Sequence, residues 1–348
     1  MFYEVLRYSD YEKWIHLLDQ CEKKDIHYHP DFMNLHKEKL DGEPELFVLI
    51  EEDQNFLLFP YFKRKINPIF CKNLPKSAYD IVSPWYFAGP ITKTNKKREY
   101  MLKCFFEYFP KFCSEQNIIS EYTRINPLID YGNFYTNLSH ANTQYDISYI
   151  DLTQSFSDIF KNFKKSTRNA IGSSEKKSVK IIFSNNKNDL NFFYKLYIDT
   201  MKRVMADKFY FFDTSYFESL FDLFSNDCIL VSAKLDDKII SSSIFIFKYG
   251  IAYYWLSGFD VEYKSFNPNN LIMSKAIQFL QTKNNSILIL GGGTNKSLRK
   301  FKNSFTDLSF PFYINKKIYN KEIYSQLVLE RNKLESKTNK TFFPLYRG

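Results

Sequence analysis

The stretch GGGTNKSLRKFKNSF, residues 291–305, holds the residue types best suited to meet an anionic or carbonyl-bearing group. Three consecutive glycines follow an apolar run, and each glycine has a backbone-entropy cost. Close approach of a ligand or a neighbouring strand would explain why no side chain is present at Gly291, Gly292 and Gly293. An ordinary strand-to-helix turn explains these glycines equally well. The segment does not match G-x-x-x-x-G-K-[ST], so it does not indicate a nucleoside triphosphatase.

Lys302 is the cation in this stretch with the clearest chemical use. The four cations of the short helix predicted over residues 296–304 cannot share one face, so some of them are expected to be solvated. Phe301 and Phe305 lie four residues apart and are predicted to turn inward, which would hold Lys302 at the edge of a site. A fixed ammonium stabilises a developing oxyanion or a phosphate.

A second candidate region joins the strand YYWLSGFD to the helix start NPNN, residues 253–260 and 267–270. Pro268 suits the first turn of a helix and Asn267 can cap it, so free backbone N–H groups would face an anion, although ordinary capping gives the same pattern. Asp260 is a possible base, and a solvated surface acid is the alternative reading. The candidate contacts are Tyr254, Ser257, Gly258, Asn267, Asn269 and Asn270.

A third candidate region is basic. Residues 158–180 carry seven Lys or Arg against two acids, and Lys164, Lys165 and Arg168 fall within one helical turn. A solvated helical face explains this pattern, and the phosphates of a nucleotide-linked substrate or of tRNA are the alternative. No H-E-x-x-H motif or G-x-S-x-G elbow accompanies the five histidines, so zinc chemistry and a hydrolytic triad are not expected and we assign no metal ligand.

Composition sets broad limits on the class of protein. The chain has 348 residues, a net charge of +9 and five scattered cysteines without a C-x-x-C pair, so we expect about two domains, no disulfide framework and a cytoplasmic location. The positive charge is compatible with nucleic acid, a membrane surface or a phosphorylated small molecule. No apolar run approaches the ~18 residues that a membrane span needs, so only a peripheral membrane contact stays open.

The order of elements repeats along the chain and predicts an α+β fold. Each half runs through helices, antiparallel strands, a helix and a strand, which indicates two similar domains with mixed β-sheets flanked by helices. We place the domains at residues 1–145 and 146–320, with a C-terminal helix and tail over 321–348. The second domain carries the candidate site.

Four local predictions test this reading. Residues 45–64 are expected to form a hairpin that turns at Asp53-Gln54, and AYDIVSPWYFAGPI, residues 78–91, an ordered loop. Thr153 or Ser155 is expected to cap one helix that continues to about Lys177. The segment 228–260 is expected to form three antiparallel strands with turns at Asp236-Asp237 and Tyr249-Gly250.

Several motifs together resemble the FemAB-like branch of the GNAT acyltransferase superfamily, which includes aminoacyltransferases of peptidoglycan cross-bridges and related acyltransferases of surface-polysaccharide clusters. In chain order, they are AYDIVSPWYFAGPI, RINPL, FKKSTRNAI, YKLYIDTMKRVMADKFYFF, YYWLSGFDVEYKSFNPNNLIMSKAIQFL, LILGGGTNKSLRKFKNSF and FFPLYRG. The resemblance implies tandem GNAT-like domains that transfer an acyl group to an amine of a nucleotide- or lipid-linked envelope precursor. No tightly bound cofactor is implied, and the donor is aminoacyl-tRNA or an acyl-CoA.

The resemblance also implies roles for particular residues. Lys302 would steady charge at the transfer site, Arg168 and Arg203 would contact a diphosphate, and Tyr210 would line the acceptor site. One departure is that no Q/R-x-x-G-x-G/A loop precedes NPNN, so coenzyme A binding in the usual GNAT mode is not implied. The alternatives are an acetyl-CoA-dependent N-acetyltransferase acting on a nucleotide-linked amino sugar and a non-catalytic basic module that binds RNA or lipid.

Overall fold

The computed structural model describes residues 1–51, 55–67, 77–129, 142–292, 295–334 and 342–348. The chain forms two compact units. The first unit comprises Met1–Gln144 together with Pro311–Gly348, and the second comprises Tyr145–Phe310. The final segment of the chain is therefore part of the first unit.

Helices and strands are numbered here in chain order. The helices are α1 (Tyr11–Asp19), α2 (Pro30–Leu40), α3 (Arg98–Glu115), α4 (Phe156–Asn162), α5 (Lys165–Lys176), α6 (Leu190–Arg203), α7 (Thr214–Leu223), α8 (Pro268–Thr282), α9 (Lys296–Lys302) and α10 (Lys321–Leu334). The strands are β1 (Phe2–Arg7), β2 (Glu43–Ile50), β3 (Phe56–Lys65), β4 (Tyr79–Val82), β5 (Ile91–Thr92), β6 (Ile118–Arg124), β7 (Asn142–Asp151), β8 (Lys180–Ser184), β9 (Cys228–Leu235), β10 (Lys238–Lys248), β11 (Ile251–Phe259), β12 (Ile287–Gly291) and β13 (Ser309–Ile318).

The first unit is built on a mixed sheet with the strand order β1-β2-β3-β4-β6-β13. Strands β4 and β6 run parallel, whereas β1-β2, β2-β3, β3-β4 and β6-β13 pair antiparallel. Helix α3 connects the parallel pair and packs Phe105 and Phe109 against Phe47 and Phe59 of the sheet, with ring centroids 5.0–6.1 Å apart. Buried aromatic pairs of this kind stabilise the unit through both area and geometry.

The second unit repeats this plan with the strand order β7-β12-β11-β10-β9-β8. Strands β11 and β12 run parallel and the crossover between them contains helix α8. The face of the sheet with Phe245, Ala252 and Leu288 packs against α8 and forms the core of the unit. On the opposite face, the backbone of α6 comes so close to β11 that only a glycine fits at position 258.

The two tandem units with mixed sheets and flanking helices confirm the predicted fold class. The hairpin of β2 and β3 is confirmed, although its predicted turn at Asp53-Gln54 lies outside the described residues. The turns before β10 and β11 are confirmed, with positive φ at Asp236, Tyr249 and Gly250. No helix of the described residues is long and apolar enough to cross a bilayer.

Two local predictions were wrong. The stretch expected to be a loop contains β4 and β5, because β4 finds β3 and β6 as partners that a local pattern does not show. The single helix expected up to Lys177 is two helices, α4 and α5. Ser155 caps the first of them by accepting the backbone N–H of Asp158 at 3.2 Å, and the chain then turns extended at Phe163 and Lys164, with ψ of 144° and 143°.

The close contact between α6 and β11 gives a direct test of the second unit's packing. A Cβ at position 258 would lie 2.4 Å from backbone atoms of Leu196 and Tyr197. We expect Gly258→Ala to lower the free energy of unfolding by about 3 kcal/mol, because a helix backbone cannot move aside as a flexible side chain does. Denaturant unfolding of the purified protein measures the change.

Gly172 is the matched control, because it lies within α5 and a Cβ there would meet no atom within 4 Å. Gly172→Ala is expected to raise the free energy of unfolding by about 0.5–1 kcal/mol, since alanine loses less backbone entropy in a helix. Equal effects of the two substitutions would contradict the packing assigned to Gly258.

Candidate functional site

The parallel strands β11 and β12 separate soon after they meet. Their pairing consists of Ile251 with Ile287, Ala252 with Leu288 and Tyr253 with Ile289. Strand β11 nevertheless continues to Phe259, and β12 continues to Gly291. Beyond Tyr253, the edge of β11 that faces β12 therefore presents backbone N–H and C=O groups that no ladder bond to β12 satisfies.

A β-bulge in each strand accounts for the separation. On β11, Ile244 and Phe245 of β10 oppose Leu256 and Tyr254, so Trp255 is the extra residue. On β12, Tyr149 and Ser148 of β7 oppose Ile289 and Gly291, so Leu290 is the extra residue. Bulges bend the strands that contain them. Because both follow the last residue pair, they open the sheet at this edge.

Helix α8 begins at the same edge of the sheet. It follows β11 after a short 3₁₀ turn and leads back to β12, so its first turn lies near the carboxyl ends of both strands. Pro268 occupies the first turn as predicted, but the side chain of Asn267 does not cap the helix. Asn267 adopts a left-handed conformation with φ of 53°, which directs its side chain to the carbonyl of Ser265. Asn270 is half-buried in the first turn.

Hydroxyl groups line the end of β11. Ser243 Oγ donates to Ser257 Oγ at 3.0 Å, and Ser241 Oγ donates to Asn269 Oδ1 at 2.5 Å. Burial raises the pKa of the Tyr254 phenol, an effect that hydrogen bonds with Ser257 and Ser243 partly offset. The predicted residues Tyr254, Ser257 and Asn269 thus belong to one polar row between the strand and the start of α8.

The glycine bend after β12 is a place where side chains do not fit. Gly291 has φ of +79°, a conformation that favours glycine. A Cβ on Gly292 would lie 2.2 Å from Cε2 of Tyr145 and 3.1 Å from the backbone oxygen of Asp146. Close approach by β7 therefore explains Gly292, whereas Gly293 lies outside the described residues.

Lys302 is buried beside this bend. Its side chain is only 6% exposed, and its ammonium donates a hydrogen bond to the carbonyl of Gly292 at 2.9 Å. Burial lowers the pKa of Lys302 to about 7, because the surrounding protein solvates the charged form poorly. Phe301 and Phe305 pack edge-to-face with centroids 5.1 Å apart, which is the inward packing that the sequence predicted.

Arg168 lies apart from the polar row and serves the local fold. Its guanidinium donates to the carbonyls of Lys161, at 2.8 Å, and of Phe163. These carbonyls lie at the end of α4, where a helix leaves its last C=O groups unsatisfied. The guanidinium thus satisfies the chain's own carbonyls, which accounts for Arg168 without a phosphate.

Arg203 and Asp260 line a groove of about 1220 Å³ that lies at and beyond Phe259, the last residue of β11. Arg203 stacks over the Phe259 ring at 4.3 Å and donates to Thr200 Oγ1 at 3.3 Å. Asp260 accepts a hydrogen bond from Lys238 at 2.8 Å, which lowers the pKa of the carboxyl group. An ionised, salt-bridged carboxylate is a poor proton acceptor, so the geometry disfavours the predicted role of Asp260 as a base.

The charge of this groove does not match the predicted diphosphate. Its lining carries six acidic and four basic side chains, so a diphosphate near Arg203 would also face a surplus of carboxylates. Tyr210 is not among the lining residues; it is 40% exposed, and its carbonyl accepts a hydrogen bond from the hydroxyl of Tyr197. The roles of Arg203 and Tyr210 remain predictions.

Sequence reasoning missed several residues that shape the site. The ring of Tyr145 packs against the glycine bend, and Trp255 forms the bulge of β11. Ser241 and Ser243 complete the polar row. The run of three serines inside the apolar strand β10 was a usable signal, because buried hydroxyls need partners. No comparable sequence pattern marked the bulge at Trp255. Within the described ranges, no group of three His, Cys, Asp or Glu side chains could hold a metal ion.

Comparison with known proteins agrees with this geometry. Residues 161–302 match the family model described as an acetyltransferase (GNAT) domain, a range that ends at Lys302 and includes β11, α8 and β12. No curated protein sequence matches the chain.

Solved structures extend the likeness to both units. The structure of FemX has a TM-score of 0.69 at 11% identity and covers 93% of this chain and 99% of its own. The C-terminal domain of a putative lysylphosphatidylglycerol synthetase from Agrobacterium fabrum has a TM-score of 0.55 at 11% identity, with coverage of 94% and 96%. A tandem GNAT protein from the clavulanic acid biosynthesis pathway has a TM-score of 0.52 at 8% identity, with coverage of 90% and 98%. The predicted resemblance is therefore confirmed: residues 161–302 match a GNAT acetyltransferase domain, and the chain shares the tandem fold of FemX and of a tandem GNAT protein.

Proposed function

We propose that this enzyme transfers an aminoacyl or acyl group to an amine of a nucleotide- or lipid-linked precursor of the cell envelope, in peptidoglycan or surface-polysaccharide synthesis. The observation that carries the proposal is the buried amine of Lys302 at the sheet edge where β11 and β12 separate. The motifs shared with FemAB-like proteins, and the fold shared with FemX and a lysylphosphatidylglycerol synthetase domain, favour an envelope acceptor.

The reaction joins the acceptor nitrogen to the acyl carbon. The neutral amine attacks the carbonyl of an ester or thioester donor, negative charge develops on the carbonyl oxygen, and the C–O or C–S bond then breaks. The proton released by the attacking nitrogen leaves with the departing group or with solvent. The protein therefore has to hold two substrates in line and stabilise one oxyanion.

The open edge of β11 suits an extended substrate. Backbone N–H and C=O groups beyond Tyr253 have no partner on β12, so a chain that contains amide groups can lie there and complete the ladder. The polar row at Ser257 and Asn269 would then face the part of the substrate nearest the start of α8. The pantetheine of an acyl-CoA donor and the peptide of a peptidoglycan precursor both contain such amides, whereas the ester of an aminoacyl-tRNA contains none, so this surface suits an acyl-CoA donor or a peptide acceptor.

Lys302 is the residue we assign to the oxyanion. One of its N–H groups donates to the carbonyl of Gly292, which fixes the ammonium within a buried environment, and we assign its remaining hydrogen-bonding capacity to a substrate oxygen. A positive charge in such surroundings interacts more strongly with a developing oxyanion than it would in water. Asp260 takes no part in this scheme because Lys238 already binds it.

The acyl donor and acceptor can be assigned by product mass. The purified protein is incubated with labelled acetyl-CoA or with aminoacyl-tRNA, each in the presence of nucleotide-linked amino sugars or lipid-linked peptidoglycan precursors. We expect an acylated or aminoacylated envelope precursor. Acetylation of a nucleotide-linked amino sugar alone would instead favour the N-acetyltransferase alternative, and binding without any product would favour a non-catalytic module.

Removal of the buried charge should remove most of the activity. We expect Lys302→Met to lower kcat by about 100-fold or more, because loss of one oxyanion donor typically costs that much. Lys300→Met changes an exposed lysine of the same helix and is expected to keep near-normal turnover. Unchanged turnover in Lys302→Met with the correct substrates would refute the assignment.

The pH dependence of turnover separates charge from packing. Since the pKa of Lys302 is about 7, the ammonium is lost as pH rises through 7, and we expect kcat to fall above that pH. Lys302→Arg keeps its charge throughout this range, so its profile should lack the descending limb. A descending limb at the same pH in the profile of Lys302→Met would show that another group causes it.

Stability should also depend on the protonation of Lys302. The folded-state pKa of about 7 lies below the ordinary value of 10.5, so between these values the unfolded chain binds more protons and the free energy of unfolding rises with pH. Lys302→Met lacks this titration. We therefore expect the free energy of unfolding of the wild type to rise, relative to that of Lys302→Met, by on the order of a few kcal/mol from pH 6 to pH 9.5. Denaturant unfolding measures it, and Lys300→Met should show a constant difference.

A further inference from the structure

The position of the Lys302 ammonium depends on the glycine bend after β12. Lys302 is 6% exposed, and its ammonium donates a hydrogen bond to the carbonyl of Gly292 at 2.9 Å. A lysine side chain has a flexible four-carbon stem, so the place of its charge depends on what holds its end. The carbonyl of Gly292 therefore determines where the ammonium lies.

Close packing, and not backbone conformation, accounts for glycine at position 292. Gly291 has φ of +79°, whereas the φ of Gly292 lies outside the left-handed region. A Cβ on Gly292 would overlap the ring of Tyr145 and would lie 3.1 Å from the backbone oxygen of Asp146. The backbone of the bend thus lies directly against this ring, and a side chain at position 292 would displace one of the two.

Strand β7 holds both the bend and the end of helix α9. Ser148 pairs with Gly291 in the ladder of β7 and β12. The Oγ of Ser148 also donates at 2.6 Å to Oδ1 of Asn303, the residue that follows Lys302. Because the ring of Tyr145 belongs to the same strand, β7 fixes the bend and the backbone beside Lys302 relative to each other.

No charged neighbour among the described residues contributes to the pKa of Lys302, which burial alone lowers to about 7. The charged side chains that α9 and the adjoining part of β7 carry are exposed, where solvent screens them. The titratable side chains of these two segments are Tyr145, Asp146, Tyr149, Lys296, Arg299 and Lys300. A change in the pKa of Lys302 therefore reports a change in its burial or in its hydrogen bond to Gly292.

We propose that Gly292 and Tyr145 are positioning residues for Lys302. The ring of Tyr145 holds the bend, the absence of a side chain at position 292 lets the bend lie against that ring, and the carbonyl of Gly292 then meets the ammonium. Neither residue has to touch the reacting atoms. The effect on catalysis rests on the proposed function of Lys302, whereas the arrangement itself can be measured without any substrate.

The first test is an NMR titration of Lys302 in the full-length protein, labelled with ¹³C at the Cε atoms of lysine. The Lys302 signal is the one that Lys302→Met removes. We expect Gly292→Ala to lower the midpoint of this titration by on the order of one pH unit, because the added methyl displaces the bend and the charged amine loses its acceptor. An unchanged or higher midpoint would overturn the proposal.

Two control variants separate the bend from general effects of substitution. Gly172→Ala adds the same methyl within α5, where no atom lies within 4 Å of it, and Tyr145→Phe keeps the ring. Both are expected to titrate as the wild type does. A midpoint lowered equally in Gly172→Ala would show that the effect does not come from the bend.

Denaturant unfolding tests whether Tyr145 is what excludes a side chain from position 292. Gly292→Ala and Tyr145→Ala should each destabilise the protein, but their losses should not add, because alanine at position 145 leaves room for the added methyl. Additive losses would contradict the proposal. If Gly292→Ala does not fold, the double variant should restore folding, and failure of both to fold would equally contradict it.

Turnover separates this inference from the proposed function. With the substrates identified by product mass, we expect Gly292→Ala to lower kcat on the order of 10-fold or more, because a displaced ammonium stabilises the oxyanion less well. A lower midpoint with unchanged kcat would support the positioning and count against the reaction assigned to Lys302. A lower kcat with an unchanged midpoint would overturn the positioning.

Discussion

Three residue pairs hold strands β11 and β12 together, and the candidate site exists because that pairing stops. The bulges at Trp255 and Leu290 bend the two strands directly after Tyr253 and Ile289. Trp255 is fixed in place by its hydrogen bond to the Tyr216 hydroxyl at 3.1 Å, and Leu290 is buried in the core. Packing on both sides of the sheet therefore maintains an open edge that backbone hydrogen bonding alone would tend to close.

Burial links the shape of this edge to its chemistry. The glycine bend lies against Tyr145, which leaves a carbonyl where Lys302 can reach it, and the enclosed ammonium has a pKa of about 7. The same lysine in water would remain charged up to about pH 10 and would interact weakly with an oxyanion. Burial of the Lys302 ammonium thus costs stability, and the same burial strengthens its interaction with the oxyanion of the proposed reaction.

The other cations of the second unit have different surroundings and different uses. Arg168 stabilises the end of α4, and Arg203 stacks on Phe259 beside an acidic groove, so neither has the isolated, buried setting of Lys302. Lys296 and Lys300 of α9 are exposed to solvent. The cations of this unit therefore have physically distinct roles that only burial and neighbours separate.

The sequence by itself determined most of the element order, the tandem α+β architecture and the resemblance to GNAT acyltransferases, because hydrophobic periodicity, turn residues and motifs are local signals. It also singled out Lys302, since Phe301 and Phe305 flank it at helical spacing. Only the tertiary structure decided that β4 is a strand, that Arg168 of α5 caps the end of α4, and that neighbouring backbone and an aromatic ring require glycine at positions 258 and 292. These outcomes depend on contacts between residues far apart in sequence, which no local pattern records.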